Sequence, residues 1–135
     1  MKIMLDEFAY MPERAHPDDA GLDILSPFDK WVYAHGVTII DTGVHVEIPK
    51  GYVGMLTSKS SLMAKGVTTR GTIDCGYTGS IKAVVYNDGP FSFEVRKGNK
   101  ITQLVIVPCL IPEIEVVDEL EETDRGENGF GSSGQ

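Results

Sequence analysis

One stretch of the chain gathers residue types that can do chemistry on a polar ligand. It runs Arg70-Gly71-Thr72-Ile73-Asp74-Cys75-Gly76-Tyr77-Thr78-Gly79-Ser80-Ile81-Lys82. A carboxylate, Asp74, sits between an apolar residue and a glycine-rich bend, and Tyr77 follows three residues later. Glycines at 71, 76 and 79 let the backbone turn sharply and come close to a ligand. The pattern reads as a hairpin that forms a pocket, with main-chain groups for hydrogen bonding, Tyr77 as a flat wall and Asp74 as a base. The same residues also describe a tight hairpin with an exposed Asp and a packing Tyr, because such residues are common in turns.

Other segments offer complementary chemistry. Ser58-Lys59-Ser60-Ser61-Leu62-Met63-Ala64-Lys65-Gly66 has serines in front, helix formers in the middle and glycine at the end, which describes a short capped helix. Hydroxyls and a lysine at a helix N-terminus make a phosphate seat, or simply an ordinary cap. Gln103 lies in the apolar run from Ile101 to Pro108. Buried amides need partners, so it is either a satisfied core residue or one that faces a ligand. Asp23 alternates with Leu22 and Ile24, which puts it on the opposite face of a short strand and by itself reads as a solvated residue. The tail from Arg125 to Gln135 sets an Arg, an aromatic and two serines among four glycines. It suits either a disordered terminus or a mobile arm in which Arg meets a phosphate and Phe stacks on a flat ring.

The elements that must position these groups are strands. Lys2–Leu5 reads as an edge or exchanged strand. Further strands are expected at 37–40, 44–48, 52–57, 80–86, 91–95 and 101–108, with a last candidate at 114–117. In the strand from Val44, alternation turns His45 outward. Trp31 belongs to a connection, wedged against the body. Short strands with turn residues between them and almost no helix point to an all-β sandwich or barrel. Beyond Asp118 the chain becomes acidic and then glycine-rich.

The 135 residues suffice for one domain with a real core. Acidic residues outnumber basic ones by 20 to 12, a net charge of −8, which argues against a nucleic-acid partner. An anionic small substrate remains compatible, since a few cations and amides can hold phosphates in an acidic protein. Cys75 and Cys109 form no paired motif and read as reduced thiols. No His/Cys/Asp spacing resembles a zinc site. Neither a signal peptide nor a membrane span is visible, so no membrane association and a cytoplasmic location are expected.

Five segments in order resemble the five motifs of the trimeric dUTPase family. They are Ala20–Ile24, Ser58–Ala64, Gly71–Gly79, Gly98–Leu104 and Arg125–Gly134. The resemblance implies a distorted jelly-roll-type β-barrel, the dUTPase-like β-clip, with one short helix and a mobile C-terminal arm. Residues 1–118 would form the barrel domain, and 119–135 the arm that closes over a neighbouring subunit's site in a homotrimer. The implied reaction converts dUTP and water into dUMP and pyrophosphate with Mg²⁺, which limits uracil in DNA and supplies dUMP for dTMP synthesis.

Residue by residue, the resemblance makes Asp74 the base that activates water for attack on the α-phosphorus. Tyr77 would lie under the deoxyribose and exclude a 2′-hydroxyl. Main chain at Thr72, Ile73 and Asp74, and near Lys82, would pair with the uracil edge. Ser60 would bond the oxygen between the α- and β-phosphates, and Lys59 and Ser61 would hold phosphate oxygens. Gln103 would contact the phosphates or metal-bound water, and Asp23 would hold that water from outside, as suits Mg²⁺. Arg125 would reach the γ-phosphate, Phe130 would cover the uracil, and Gly131, Ser132 and Ser133 would cap the γ-phosphate.

Four positions depart from the family pattern. Lys59 stands where Arg is usual and loses the bidentate fork. Thr68 stands where Asn usually opens the hairpin, which affects its part in binding base or sugar. Ser80 replaces an acidic or amide residue, and Asn99-Lys100 replaces Asp-Arg. Two rival readings share the fold: a dCTP deaminase, for whose additional polar residues no segment is found, and a nucleotide-sensing module that acts on a regulatory protein partner.

Overall fold

A computed structural model describes residues 1–129. The short alternating runs become strands β1 (Lys2–Leu5), β2 (Gly21–Leu25), β3 (Lys30–Val32), β4 (Gly36–Asp41), β5 (Val44–Glu47) and β6 (Tyr52–Thr57). A one-turn helix, α1 (Ser60–Met63), follows. Then come β7 (Val67–Thr69), β8 (Gly71–Ile73), β9 (Lys82–Asn87), β10 (Phe93–Val95) and β11 (Lys100–Pro108). All pairings are antiparallel. One sheet has the order β2-β11-β6-β8, a second β4-β9-β7, and β1-β5 and β10-β3 form separate pairs. The jelly-roll-like arrangement is therefore built from stacked small sheets, and the described strands do not close into a continuous ring.

Two apolar clusters hold the sheets together. One includes Ile24, Leu56, Ile73, Ile81 and Leu104; the other includes Val32, Ile40, Ala83, Val85 and Ile101. Each fully buried Ile or Leu stabilises the fold by about 1.5–3 kcal/mol. The clusters fix the site, because the chain crosses from one sheet to the other between β8 and β9. Ile73 and Ile81 anchor the two ends of that crossing in the first cluster, and Ala83 enters the second.

Several expectations change here. The stretch around Asp74 is not a laddered hairpin: β8 pairs with β6, whereas β9 pairs with β4 and β7. Residues 114–117 form no strand and pair with no other described residue, and Ile114 and Val116 are each 93% exposed. Trp31 is half exposed on the short strand β3, and its neighbour Val32 takes the buried position. The serine-rich segment makes only one helical turn and has no side-chain cap. Ser58 instead bridges to β7, its Oγ accepting from the Thr69 amide and donating to the Thr69 carbonyl, both at 2.8 Å. Gly66 does end that turn, in the left-handed region with φ +77°.

Candidate active site

β8 is the outer strand of its sheet, so one edge of its main chain has no strand partner. Such an edge presents amide and carbonyl groups to whatever lies beside it. Just past it the chain bends. The Tyr77 amide donates to the Asp74 carbonyl at 3.0 Å, and the Tyr77 hydroxyl donates to the Ser80 carbonyl at 2.9 Å. The result is a cleft of about 200 Å³ lined by Thr72, Ile73, Asp74, Tyr77 and Lys82. Ile73 is its buried floor, Asp74 is exposed, and the Tyr77 ring stands 42% exposed along it. All five of these sequence-derived candidates come together. The arrangement places an accessible carboxylate, a flat aromatic wall and an unspent main-chain edge around one small space.

A second group gathers around Asp23, and here the expectation of a solvated carboxylate fails. Asp23 is 1% exposed, because both faces of β2 are covered. Lys59 Nζ lies 2.6 Å from its Oδ1, Gln103 Nε2 donates to the same oxygen at 3.0 Å, and Lys100 Nζ lies 2.9 Å from Oδ2. Burial alone would push the Asp23 carboxyl up. Lys59, then Lys100 and Gln103, outweigh that and hold it below its usual value. Gln103 is thus a satisfied amide whose carbonyl oxygen is left to accept from another donor. Beside this group, Lys59, Ser61, Lys65 and Lys100 line a cleft of about 460 Å³ suited to an anion. Ser60 stands exposed on the same turn.

The remaining candidates lie elsewhere. Thr68 sits half-buried on β7 opposite Tyr86 of β9 and lines neither cleft. Arg125 is exposed and turned on itself, its Nε donating to the Asn128 carbonyl at 3.0 Å. Phe130, Gly131, Ser132 and Ser133 lie outside the described residues. The two clefts have no lining residue in common.

Among the described residues no group of three or more His, Cys, Asp or Glu is placed to hold a metal ion. Asp23 Oδ2 is buried and accepts no well-aligned hydrogen bond, but the ammonium groups on both its oxygens already neutralise it. A direct bond from Asp23 to a cation therefore does not fit. A cation carried on a ligand's phosphates would be met here only through its own water.

A family profile described as dUTPase matches residues 7–134. The chain belongs to the dUTPase family. A deoxyuridine 5′-triphosphate nucleotidohydrolase of Alkaliphilus metalliredigens (strain QYMF) is 41% identical over 134 residues, covering 96% of this chain and 93% of that one. Its counterpart in Clostridium tetani (strain Massachusetts / E88) is 42% identical over 136 residues, covering 98% and 94%. Among solved structures, the dUTPase of Staphylococcus bacteriophage 80alpha with dUPNHPP superposes with a TM-score of 0.92 at 36% identity, covering 99% of this chain and 98% of that one. A dUTPase from phage phi11 of S. aureus, described with a coordinated structural Mg(II) ion, reaches a TM-score of 0.82 at 33% identity, covering 90% and 98%.

Within this dUTPase-family chain, sequence reasoning passed over a set of residues that support the first cleft. Asp41, Gly43 and His45 all contact the segment that follows Tyr77. Their only local signal was a tight Asp-Thr-Gly turn between two alternating runs. The contact of Lys100 with Asp23 joins distant segments and has no local signal. No helix of the described residues is long and apolar enough to cross a membrane.

Proposed function

We propose that this chain hydrolyses dUTP to dUMP and pyrophosphate at the cleft between β8 and β9. The observation that carries this is the Asp74 carboxylate beside the Tyr77 ring at the unpaired edge of β8, in a dUTPase-family fold. Asp74 takes a proton from water as the water oxygen bonds to the α-phosphorus. The bond from that phosphorus to the oxygen bridging to the β-phosphate breaks, and pyrophosphate leaves with the electron pair. Thr72, Ile73 and Asp74 pair with the uracil edge through their main chain, close enough to leave no room for a thymine methyl. Tyr77 excludes the ribose 2′-hydroxyl.

The phosphate grip comes from Lys59, Ser60 and Ser61. In the shared sites that the family resemblance implies, a neighbouring copy supplies this grip in a homotrimer; that the two clefts have no lining residue in common is compatible with it. The segment after β11 supports assembly: Leu110, Ile114 and Val116 are each more than nine-tenths exposed among the described residues. Arg125, Phe130, Gly131, Ser132 and Ser133 then close over the ligand and exclude water. Asp23 fixes Lys59 and Gln103, and the Gln103 carbonyl would meet a bound cation only through that cation's water. Magnesium, when bound with the triphosphate, neutralises charge on the phosphate oxygens.

The test is pyrophosphate release with Mg²⁺ from dUTP, dTTP, dCTP and UTP in parallel. Release from dUTP alone, lost in Asp74→Asn while dUTP still binds, is the expected result. Equal release from dTTP or UTP would refute the assignment of the cleft.

A further inference from the structure

The segment that follows Tyr77 is anchored residue by residue to one corner of the fold. That corner is the turn Asp41-Thr42-Gly43 and the start of β5. His45 Nδ1 lies 2.9 Å from the Thr78 carbonyl oxygen. The Ser80 hydroxyl donates to Asp41 Oδ1. The Gly43 amide donates to Ser80 Oγ at 3.0 Å and to Asp41 Oδ1 at 3.2 Å. Thr42 donates to the Ile81 carbonyl from its hydroxyl at 2.7 Å and from its amide at 3.1 Å. The Ile81 amide returns a bond to the Val44 carbonyl at 2.8 Å. Gly43 can aim its amide this way because it adopts φ +66°, and a Cβ there would sit 2.7 Å from the Phe8 ring.

Tyr77 takes its orientation from this anchored segment. Its hydroxyl is tethered to the Ser80 carbonyl. Its ring lies against Gly79, where a Cβ would come within 2.5 Å of the hydroxyl oxygen. Floor and tether of the ring thus both belong to the piece of chain that Asp41 holds. The Ser80 hydroxyl in turn holds the Asp41 carboxyl below its usual value, against partial burial. The bond between them is therefore charge-assisted and stronger than a neutral one.

We infer that Asp41, acting through Ser80, is a positioning residue that sets the plane of Tyr77 and so the discrimination between deoxyribose and ribose. This rests on the reading of Tyr77 as the wall under the sugar. Excluding one hydroxyl requires a wall that cannot retreat by about 1 Å, and an exposed ring on a glycine-rich bend does not supply that rigidity by itself. The Asp41–Ser80 link supplies it from outside the cleft.

The experiment measures kcat/KM for dUTP and for UTP in Asp41→Ala, Ser80→Ala, the double variant, Ser80→Thr and Tyr77→Ala. In either alanine variant the Gly43 amide keeps one of its two acceptors, so the corner stays folded. The dUTP/UTP ratio is expected to fall roughly tenfold in each single variant, and no further in the double, because the two residues act in series. Ser80→Thr, which keeps the hydroxyl, retains the ratio. An unchanged ratio in both alanine variants, with Tyr77→Ala lowering it, overturns the positioning role and leaves the sugar wall standing. An unchanged ratio in Tyr77→Ala overturns the sugar wall, and the inference with it. Should the alanine variants misfold, Ser80→Cys, similar in volume but a poor donor, carries the same comparison against Ser80→Thr.

Discussion

Lys59 Nζ stands 2.6 Å from Oδ1 of Asp23, a carboxylate only 1% exposed. The lysine comes from the segment that leads into α1 and the carboxylate from the middle of β2. Their contact ties the serine-rich turn to the four-stranded sheet. It engages one of the three donors of an ammonium whose residue also lines the neighbouring cleft.

Removing that lysine leaves the buried carboxylate with only Lys100 and Gln103. Lys59→Met is expected to lower stability by about 2–3 kcal/mol, and Lys59→Met with Asp23→Asn to recover part of the loss. Urea unfolding at neutral pH measures both. The Asp23 carboxyl is held below its usual value, so its contribution is complete above the ordinary carboxylate pKa of about 3.9 and lost as pH falls through the lower folded value. In Asp23→Asn the acid limb of the stability profile flattens.

His45 predicts the opposite slope. The Thr78 carbonyl, and then Asp6 at 3.4 Å, favour its charged form against burial and raise its pKa. Stability from this contact is complete below the ordinary histidine value of about 6.5 and is lost as pH rises through the higher folded value. The thermal stability of the native chain should therefore fall as pH rises above about 6.5. His45→Gln should not show that loss, and an equal slope in both would refute the assignment.

Gly54 lies where β6 meets the core. A Cβ there would stand 2.7 Å from Ile48 Cδ1 and 2.8 Å from Leu104 Cδ1. Gly54→Ala is expected to destabilise the fold by about 1–3 kcal/mol through overpacking, read as a lower urea midpoint with an unchanged slope. Gly51→Asn is the contrasting case, because nothing lies within 4 Å of its position and asparagine tolerates its φ of +83°; little change is expected.

Residues 119–129 are exposed and contain no regular element. Deleting 119–135 should leave the urea midpoint and the circular-dichroism spectrum in place. The closing role proposed for the arm predicts that this deletion lowers kcat/KM for dUTP by at least roughly tenfold. Activity equal to the full chain would remove the arm from the mechanism.

The sequence by itself determined the character of each segment. Alternation in Val44-His45-Val46 and the long apolar run to Pro108 set strands, and turn residues set their ends. The proximity of Asp74 and Tyr77, three residues apart across a bend, was legible because that geometry is local. Pairing was not, since periodicity says which face is apolar and nothing about which strand lies beside it. Only the tertiary structure sent β8 to β6 and β9 to β4 and β7, opening a crossing where a hairpin was expected. It also buried Asp23 beneath a lysine 36 positions away and joined Asp41 to Ser80 across 39. Such contacts depend on how two sheets stack over a shared core, and no window of neighbouring residues carries that information.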